Sequence, residues 1–171
     1  MSGTGEQSLR VFVAYSYEKE PHADGERSPQ QYGDNLCHIL RSMGFVVLTG
    51  ASRERRGRLE ETVMQDLRKA DWVVVLLCPR EKLRTGRYST SPWVLEEKGA
   101  AIALEKNFQI LTHADVDDDE IGGLHGSAYR IVFTRDDEVE KFCEAANIVS
   151  QYMREASIAA HAREMSKERT K

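Results

Sequence analysis

The sequence predicts an α/β fold in which five parallel strands form one sheet with helices on both of its faces. Five apolar runs of strand length alternate with segments whose apolar residues recur at helical spacing. The third run, residues 72–78, is almost wholly apolar, which is typical of a central strand buried on both faces. Repeated strand–helix–strand units are connected by right-handed crossovers, and such connections produce a parallel sheet.

The five predicted strands share a similar length and composition. All but the third are short runs rich in valine, isoleucine, leucine and phenylalanine, and the second opens directly after Gly44. Pro79 stops the third strand, because proline cannot donate a ladder hydrogen bond. The strands comprise residues 9–15, 45–49, 72–78, 108–112 and 130–133. Five strands of this kind favour the flavodoxin-like order 2-1-3-4-5.

Helical periodicity fills the segments between the strands. Gly44 is well placed to end the first helix in a left-handed conformation, and Ser91 with Pro92 forms a typical helix start. The helix that starts there is predicted to end near Asn107. Residues 114–129 are acidic and then glycine-rich, so we expect a loop with at most a short helix. The apolar stripes are Tyr32, Leu36, Ile39, Leu40 and Met43; Leu59, Val63, Leu67 and Ala70; and Val139, Phe142, Cys143, Ala146, Val149 and Met153.

Length and composition place limits on the class of protein. The 171 residues suffice for one domain, which we expect at residues 9–156, after a flexible N-terminus (1–8) and before a helical or frayed tail (157–171). A formal net charge of −4 gives no reason to expect nucleic acid or an anionic membrane as partner. We predict a cytoplasmic protein, because no secretory signal or membrane-spanning run is visible. Three widely spaced cysteines fit reduced thiols: Cys37, Cys78 and Cys143.

A ligand site is predicted at the carboxyl ends of the strands, where the order reverses between the first and third strands. The third strand leads into a helix whose first turns carry Trp93 and Glu97, and side chains four residues apart share one helix face. An indole and a carboxylate in one cleft suit a flat cationic base attached to a ribose. A tryptophan here is also typical of a core, and a helix glutamate of a solvated face, so spacing leaves both as candidates. The other residues that connectivity brings to this point are Tyr15, Ser16, Tyr17 and Cys78.

Six segments occur in an order and spacing that one protein family shares. They are RVFVAYS at 10–16, GFVVL at 44–48, RGRLEE at 56–61, ADWVVVLLCP at 70–79, SPWVLEE at 91–97 and KNFQI at 106–110. Together they resemble the Toll/interleukin-1 receptor (TIR) domain family, in particular its enzymatic NAD-cleaving branch. The third segment resembles the family's BB loop running into its second helix. The fifth fits its Trp-x-x-x-Glu pattern, whose final glutamate is catalytic in the enzymatic members.

The resemblance implies an enzyme that cleaves the bond between nicotinamide and ribose in NAD+, with Glu97 as the catalytic residue. NAD+ would be the substrate, and no cofactor is implied. Tyr15 and Trp93 would wall the base and sugar, and Leu59 occupies the family's apolar BB-loop position. The product would be ADP-ribose or a cyclic or otherwise modified ADP-ribose. Association of copies through the BB loop and helices is also implied.

A domain of this length also resembles the standalone TIR proteins of bacterial Thoeris anti-phage defence. Those proteins make a diffusible messenger that a separate effector reads. Two alternatives remain open at this point. The chain could be a non-catalytic TIR scaffold for protein association, or an enzyme like the nucleoside deoxyribosyltransferases, which share the sheet and a glutamate nucleophile.

The chain departs from the family pattern in three places. Residues 18–31 form a longer first loop with two prolines. Ser16 and Tyr17 stand where enzymatic relatives often carry arginine just after the first tyrosine. The basic segment 53–58 could supply a phosphate-binding charge instead, and a solvated loop is the alternative interpretation of that segment.

No metal site is predicted from residue spacing. Asp115, Asp117 and Asp119 imitate the start of a calcium loop, but Glu120 stands where that loop needs glycine and Gly126 where it needs glutamate. The histidines show no metal-ligand spacing with the cysteines. They are His22, His38, His113, His125 and His161.

Overall fold

The computed structural model describes residues 9–50, 61–122 and 129–168 of the protein. In these residues five parallel strands form a single sheet of order β2-β1-β3-β4-β5, which confirms the predicted α/β fold class and strand order. Each strand lies within one residue of its predicted bounds. The elements are β1 (Arg10–Ala14), α1 (Pro29–Ser42), β2 (Val46–Thr49), α2 (Glu61–Lys69), β3 (Trp72–Leu77), α3 (Pro92–Ala103), β4 (Phe108–His113), a 3₁₀ turn (Asp118–Ile121), β5 (Arg130–Phe133) and α4 (Glu138–Glu168).

The two faces of the sheet bury separate apolar cores. The α1/α4 core receives alternate residues of β1 and β3, such as Val13 and Val74. The α2/α3 core receives the intervening residues, such as Phe12 and Val75. All six residues of β3 are buried, as expected for a central strand covered on both faces. Since β1 and β3 pair in parallel, their carboxyl ends reach the same edge of the sheet.

Helix α1 begins at a capping box. Ser28 Oγ accepts the Gln31 N–H at 3.2 Å, and Gln31 Oε1 accepts the Ser28 N–H at 2.9 Å. Pro29 takes the first helical position, where its missing N–H leaves no hydrogen bond unmade. Gly44, two residues beyond the helix, has a φ of +90°, so the predicted helix end is confirmed.

Helix α3 starts where the sequence predicts and ends earlier. Ser91 precedes it, although the serine side chain makes no capping hydrogen bond. The helix ends at Ala103 rather than near Asn107. Glu105 adopts a left-handed φ of +53°, and the following Lys106 N–H returns to the Ala101 carbonyl at 2.9 Å. This six-to-one hydrogen bond is the Schellman ending, here formed without glycine, and it turns the chain toward β4.

Residues 18–28 cross the carboxyl ends of three strands in succession. Glu18 pairs with Arg80 after β3 at 2.8 Å, and His22 contacts Asp115 after β4. The Gly25 carbonyl then accepts a hydrogen bond from Arg135, which follows β5. This long first loop is therefore tied to the edge of the sheet at which a ligand site is predicted.

Of the helices that the structure describes, none combines the length and the apolar character needed to cross a bilayer. The three cysteines are free, with Cys37 and Cys78 buried and Cys143 partly exposed.

Candidate active site at the switch point of the sheet

Glu97 is buried at the edge of the sheet where β1 and β3 end. It lies in the second turn of α3, the helix that packs on these two strands, and only 7% of the residue is exposed. Its neighbour Glu96 is exposed, as expected from the rotation of about 100° per residue along a helix. The solvated-face interpretation of Glu97 is therefore wrong. Burying a carboxylate is unfavourable unless its charge is paired or takes part in binding or catalysis. The burial of Glu97 therefore makes it a candidate functional residue.

Glu97 lies close enough to Tyr17 for its negative charge to affect the pKa of the phenol. Burial raises the pKa of Tyr17 to about 12, and the negative charge of Glu97 adds to that rise. The hydroxyls of Thr49 and Tyr15 lie close enough to lower this pKa, which places the ends of β1 and β2 beside the same phenol. Tyr17 Oη is buried, and among the described residues it has no hydrogen-bond partner of normal geometry. A donor in this state is available to a ligand.

Tyr15 supports Tyr17 on the α1 side of the sheet, where both residues pack in the α1/α4 core. The two ring centroids are 4.5 Å apart, and the Tyr15 hydroxyl donates to Asp34 Oδ1 at 3.0 Å. The Tyr15 ring belongs to the α1/α4 core, and burial raises its pKa. On α1, Gly33 lies against this ring so closely that an added Cβ would overlap it. Packing thus fixes the position of the Tyr15 ring, and the Tyr15 ring in turn holds the Tyr17 ring in place.

Ser16 and Cys78 make most of their contacts within the protein. Both are predicted to bind substrate. Ser16 Oγ accepts the Glu18 N–H at 3.3 Å and so stabilises the turn after β1. The Cys78 side chain is buried in the α1/α4 core, where desolvation raises the pKa of its thiol. The Cys78 carbonyl accepts a hydrogen bond from the buried Thr90 hydroxyl at 3.0 Å, which joins the end of β3 to the approach of α3. Sequence reasoning did not single out Thr90.

Trp93 lies at the exposed rim of the same helix. The residue is 43% exposed, so the interpretation of this indole as a core residue is wrong. An exposed indole one turn before a buried carboxylate is compatible with the predicted aromatic platform, and that role stays a prediction. Leu59 and the basic segment 53–58 lie outside the described residues.

A second polar cluster, which sequence spacing did not indicate, lies where β4 ends. His22 from the long first loop packs edge-on against His113, with ring centroids 5.3 Å apart, and both imidazoles are almost fully buried. Burial lowers the pKa of His113, and the carboxylates of Asp115 and Glu26 partly oppose that effect. The residues are 91 positions apart in the chain, so only the fold brings them together.

The sequence matches no model of a known protein family, and no curated protein matches it. Several solved structures are similar to this chain, among them the following two. One is the Clostridium botulinum CMP N-glycosidase BcmB, with a TM-score of 0.49 and 18% identity over 79% of this chain and 96% of that one. The other is the TIR domains of the activated Roq1 resistosome recognising the pathogen effector XopQ, with a TM-score of 0.44 and 18% identity over 82% of this chain and 84% of that one. At this identity the likeness concerns the fold.

Proposed function

We propose that the protein cleaves the N-glycosidic bond between nicotinamide and ribose in NAD+, with Glu97 as the acting carboxylate. The observation that supports this most is a carboxylate buried at the switch point of the sheet, with its charge acting on the buried hydroxyl of Tyr17. Ligand sites of open α/β sheets lie at this position. The TIR-like Trp-x-x-x-Glu spacing of Trp93 and Glu97 supports the same assignment.

The chemistry requires one well-placed negative charge. Breaking the bond generates an oxocarbenium-like transition state, and a nearby carboxylate in a site of low dielectric constant stabilises that cation. The pyridinium departs as neutral nicotinamide, carrying the bonding electron pair, so no general acid is needed. Glu97 can therefore act without a second carboxylate, and the exposed Glu96 has no part in the step.

The neighbouring residues would position the substrate. Tyr17 would donate its unpartnered hydroxyl to a ribose or phosphate oxygen, and Tyr15 would support the Tyr17 ring. Trp93 would stack on the nicotinamide, whose positive charge favours an aromatic face. Ser16 could bind a substrate oxygen from the turn it stabilises. In the same proposal, Cys78 and Leu59 would line the substrate-binding site.

The ribosyl cation that remains can be captured by water, by an adenine nitrogen or by another nucleophile. These routes give ADP-ribose, a cyclic ADP-ribose or a base-exchanged dinucleotide. In the role implied by the sequence resemblance, the product is a signal in bacterial anti-phage immunity, made in the cytoplasm and read by a separate effector. Self-association would complete the site.

The experiment is incubation of the purified chain with NAD+, followed by identification of the products by mass. It should be performed at high protein concentration, because enzymatic TIR domains commonly need assembly. Release of nicotinamide together with ADP-ribose or an isomer of cyclic ADP-ribose is expected. No release at any concentration, with the chain folded, would favour the scaffold. Cleavage of deoxynucleosides without cleavage of NAD+ would favour the deoxyribosyltransferase-like alternative.

A further inference from the structure

We propose that His22, His113 and Asp115 form a Zn²⁺ site at the carboxyl end of β4. The site joins the long first loop, which carries His22, to the strand end that carries the other two residues. It is separate from the Glu97 site and does not depend on the proposed NAD+ cleavage. It differs from the expectation, drawn from residue spacing, that the chain has no metal site.

The three side chains already lie at nearly the distances that a metal requires. His22 Nε2 is 3.0 Å from Asp115 Oδ2, and His113 Nδ1 is 3.8 Å from the same oxygen. One ligand atom from each of the three residues lies within 4.8 Å of the other two. Ligand atoms about 2.1 Å from a tetrahedral Zn²⁺ are about 3.4 Å from one another. The two pairs that involve Asp115 would each change by about 0.4 Å to reach this spacing, and the two histidine nitrogens, which lie within 4.8 Å of each other, would approach by at most about 1.4 Å.

The environment of His113 indicates which of its nitrogens would bind the metal. Nδ1 accepts the Asp115 backbone N–H at 3.2 Å, so its one lone pair points toward Asp115, and a metal ion bound there would replace this hydrogen bond. Nε2 then carries the proton and lies 3.7 Å from Glu26 Oε2, too far for a hydrogen bond. Among the described residues this buried nitrogen has no hydrogen-bond partner. The Tyr32 hydroxyl donates to the same Glu26 oxygen at 2.8 Å and holds it in place.

This arrangement is the carboxylate–histidine–metal sequence that orients imidazole ligands in metalloproteins. A metal at Nδ1 makes Nε2–H a better donor, and closing the gap to Glu26 would satisfy the buried nitrogen. The charges also balance, because Asp115 and Glu26 together offset the two positive charges of Zn²⁺. A metal ion at Nδ1 would thus explain why the buried Nε2 of His113 faces Glu26 without a hydrogen bond to it.

Burial of the cluster fits a site with restricted access. The side chains of His22 and His113 are 2% and 3% exposed, whereas that of Asp115 is 50% exposed and provides the approach from solvent. The Tyr88 ring packs edge-on against His22 with centroids 4.7 Å apart, and the Tyr88 N–H donates to the Asp115 carbonyl at 3.0 Å. Arg87 binds the carbonyls of Ala114 and Val116 and so fixes the loop on both sides of Asp115.

The ligand set selects the class of ion. Two imidazole nitrogens and one carboxylate suit Zn²⁺ and similar divalent transition metals, whereas Ca²⁺ and Mg²⁺ prefer oxygen ligands throughout. A fourth position would be taken by water from the Asp115 side. The bound ion would stabilise the loop that crosses β3, β4 and β5, because two elements of the fold would share it.

The test uses the full chain, freed of metal with a chelator and then titrated calorimetrically with Zn²⁺. The variants are His22→Gln, Asp115→Asn and Glu26→Gln, with His38→Gln as matched control, because His38 is an exposed histidine on α1. We expect one Zn²⁺ per chain, with binding at least about tenfold weaker in the first two variants and about tenfold weaker in Glu26→Gln. His38→Gln should bind as the parent does.

Thermal unfolding gives a second measurement that does not depend on enzyme activity. Zn²⁺ should raise the Tm of the parent and of His38→Gln, because a ligand bound only by the folded state stabilises it. It should not raise the Tm of His22→Gln. Absence of stoichiometric binding in the parent would overturn the proposal. So would unchanged affinity in both His22→Gln and Asp115→Asn.

Discussion

Gly33 and Gly99 both occupy helix interiors, but their surroundings differ. An added Cβ at Gly33 would overlap the Tyr15 ring, whereas one at Gly99 would meet nothing within 4 Å. Gly33→Ala should therefore destabilise the protein by about 1–3 kcal/mol through overpacking. Gly99→Ala should stabilise it by about 0.5–1 kcal/mol through helix propensity.

Urea denaturation of the two alanine variants measures whether the free energy of unfolding falls for Gly33→Ala and rises for Gly99→Ala. If Gly33→Ala were as stable as the parent, the Tyr15 ring would not be fixed by α1. Because Tyr15 supports Tyr17, a destabilised Gly33→Ala that still folds should also lose activity.

Tyr17→Phe separates stability from ligand binding. The Tyr17 hydroxyl is buried without a hydrogen-bond partner among the described residues, so removing it should change the free energy of unfolding by less than about 0.5 kcal/mol. If the hydroxyl donates to NAD+, the KM should rise about tenfold, which corresponds to about 1.4 kcal/mol. A KM equal to that of the parent would show that Tyr17 only packs, and a large loss of stability would show that it is paired within the protein.

Sequence reasoning could nominate Glu97 and Trp93 by their spacing, but it could not assign their burial. Composition favours a solvated glutamate and a buried tryptophan, and the structure has the reverse. The reason is that α3 packs through Val94 and Ala101, so its buried face is set by the strands beneath it. The helix rotation turns Glu97 inward and leaves Trp93 at the rim.

At the scale of elements, Arg27 anchors the long first loop to α4. Its Nε lies 2.9 Å from the carboxylate of Glu138, which is buried and also accepts from Asn35 at 3.1 Å. Arg27→Ala would leave that buried carboxylate without its cation. We expect a loss of about 1–3 kcal/mol in the free energy of unfolding.

The matched control for this substitution is Arg84→Ala, which removes an exposed arginine and should change stability by less than about 0.5 kcal/mol. Chemical denaturation of both variants gives the comparison. Equal stabilities would mean that the first loop is not held through Glu138.

Strands and helices could be predicted because each carries its signal within a few residues. The apolar run of β3 and the Gly44 helix end are examples, and both are confirmed. The end of α3 was predicted too late, because the left-handed Glu105 has no glycine signature. The path of residues 18–28 could not be predicted, since its partners Arg80, Asp115 and Arg135 follow three different strands.

At the scale of the whole molecule, several tyrosine hydroxyls and cysteine thiols are buried on the α1 side of the sheet. Burial raises the pKa of Tyr17 to about 12 and that of Cys37 to about 11, and it also raises the pKa values of Tyr15, Tyr32 and Cys78. The folded state thus keeps protons that the unfolded chain loses above about pH 9–10. The stability these groups contribute is complete below about pH 9, and it is lost as the pH rises from there through the folded-state pKa values of about 11 for Cys37 and about 12 for Tyr17.

The urea midpoint should accordingly fall most steeply between about pH 9 and about pH 12. Tyr32→Phe should reduce the slope, because it removes one buried titrating group, while Tyr129→Phe should not, because Tyr129 is exposed. A midpoint that is independent of pH over this interval would mean that the tyrosines and thiols are not buried as described.

The candidate site is a property of the whole chain, because it draws on the ends of β1, β2 and β3 and on the second turn of α3. Its most direct test is nicotinamide release from NAD+ by the parent, Glu97→Gln and Glu96→Gln, with circular dichroism as the check on folding. The glutamine at position 97 keeps the size of the side chain and removes its charge. We predict that Glu97→Gln lowers the rate by at least about 100-fold and that Glu96→Gln stays within about twofold. A folded Glu97→Gln variant that releases nicotinamide at the parental rate would contradict the assignment.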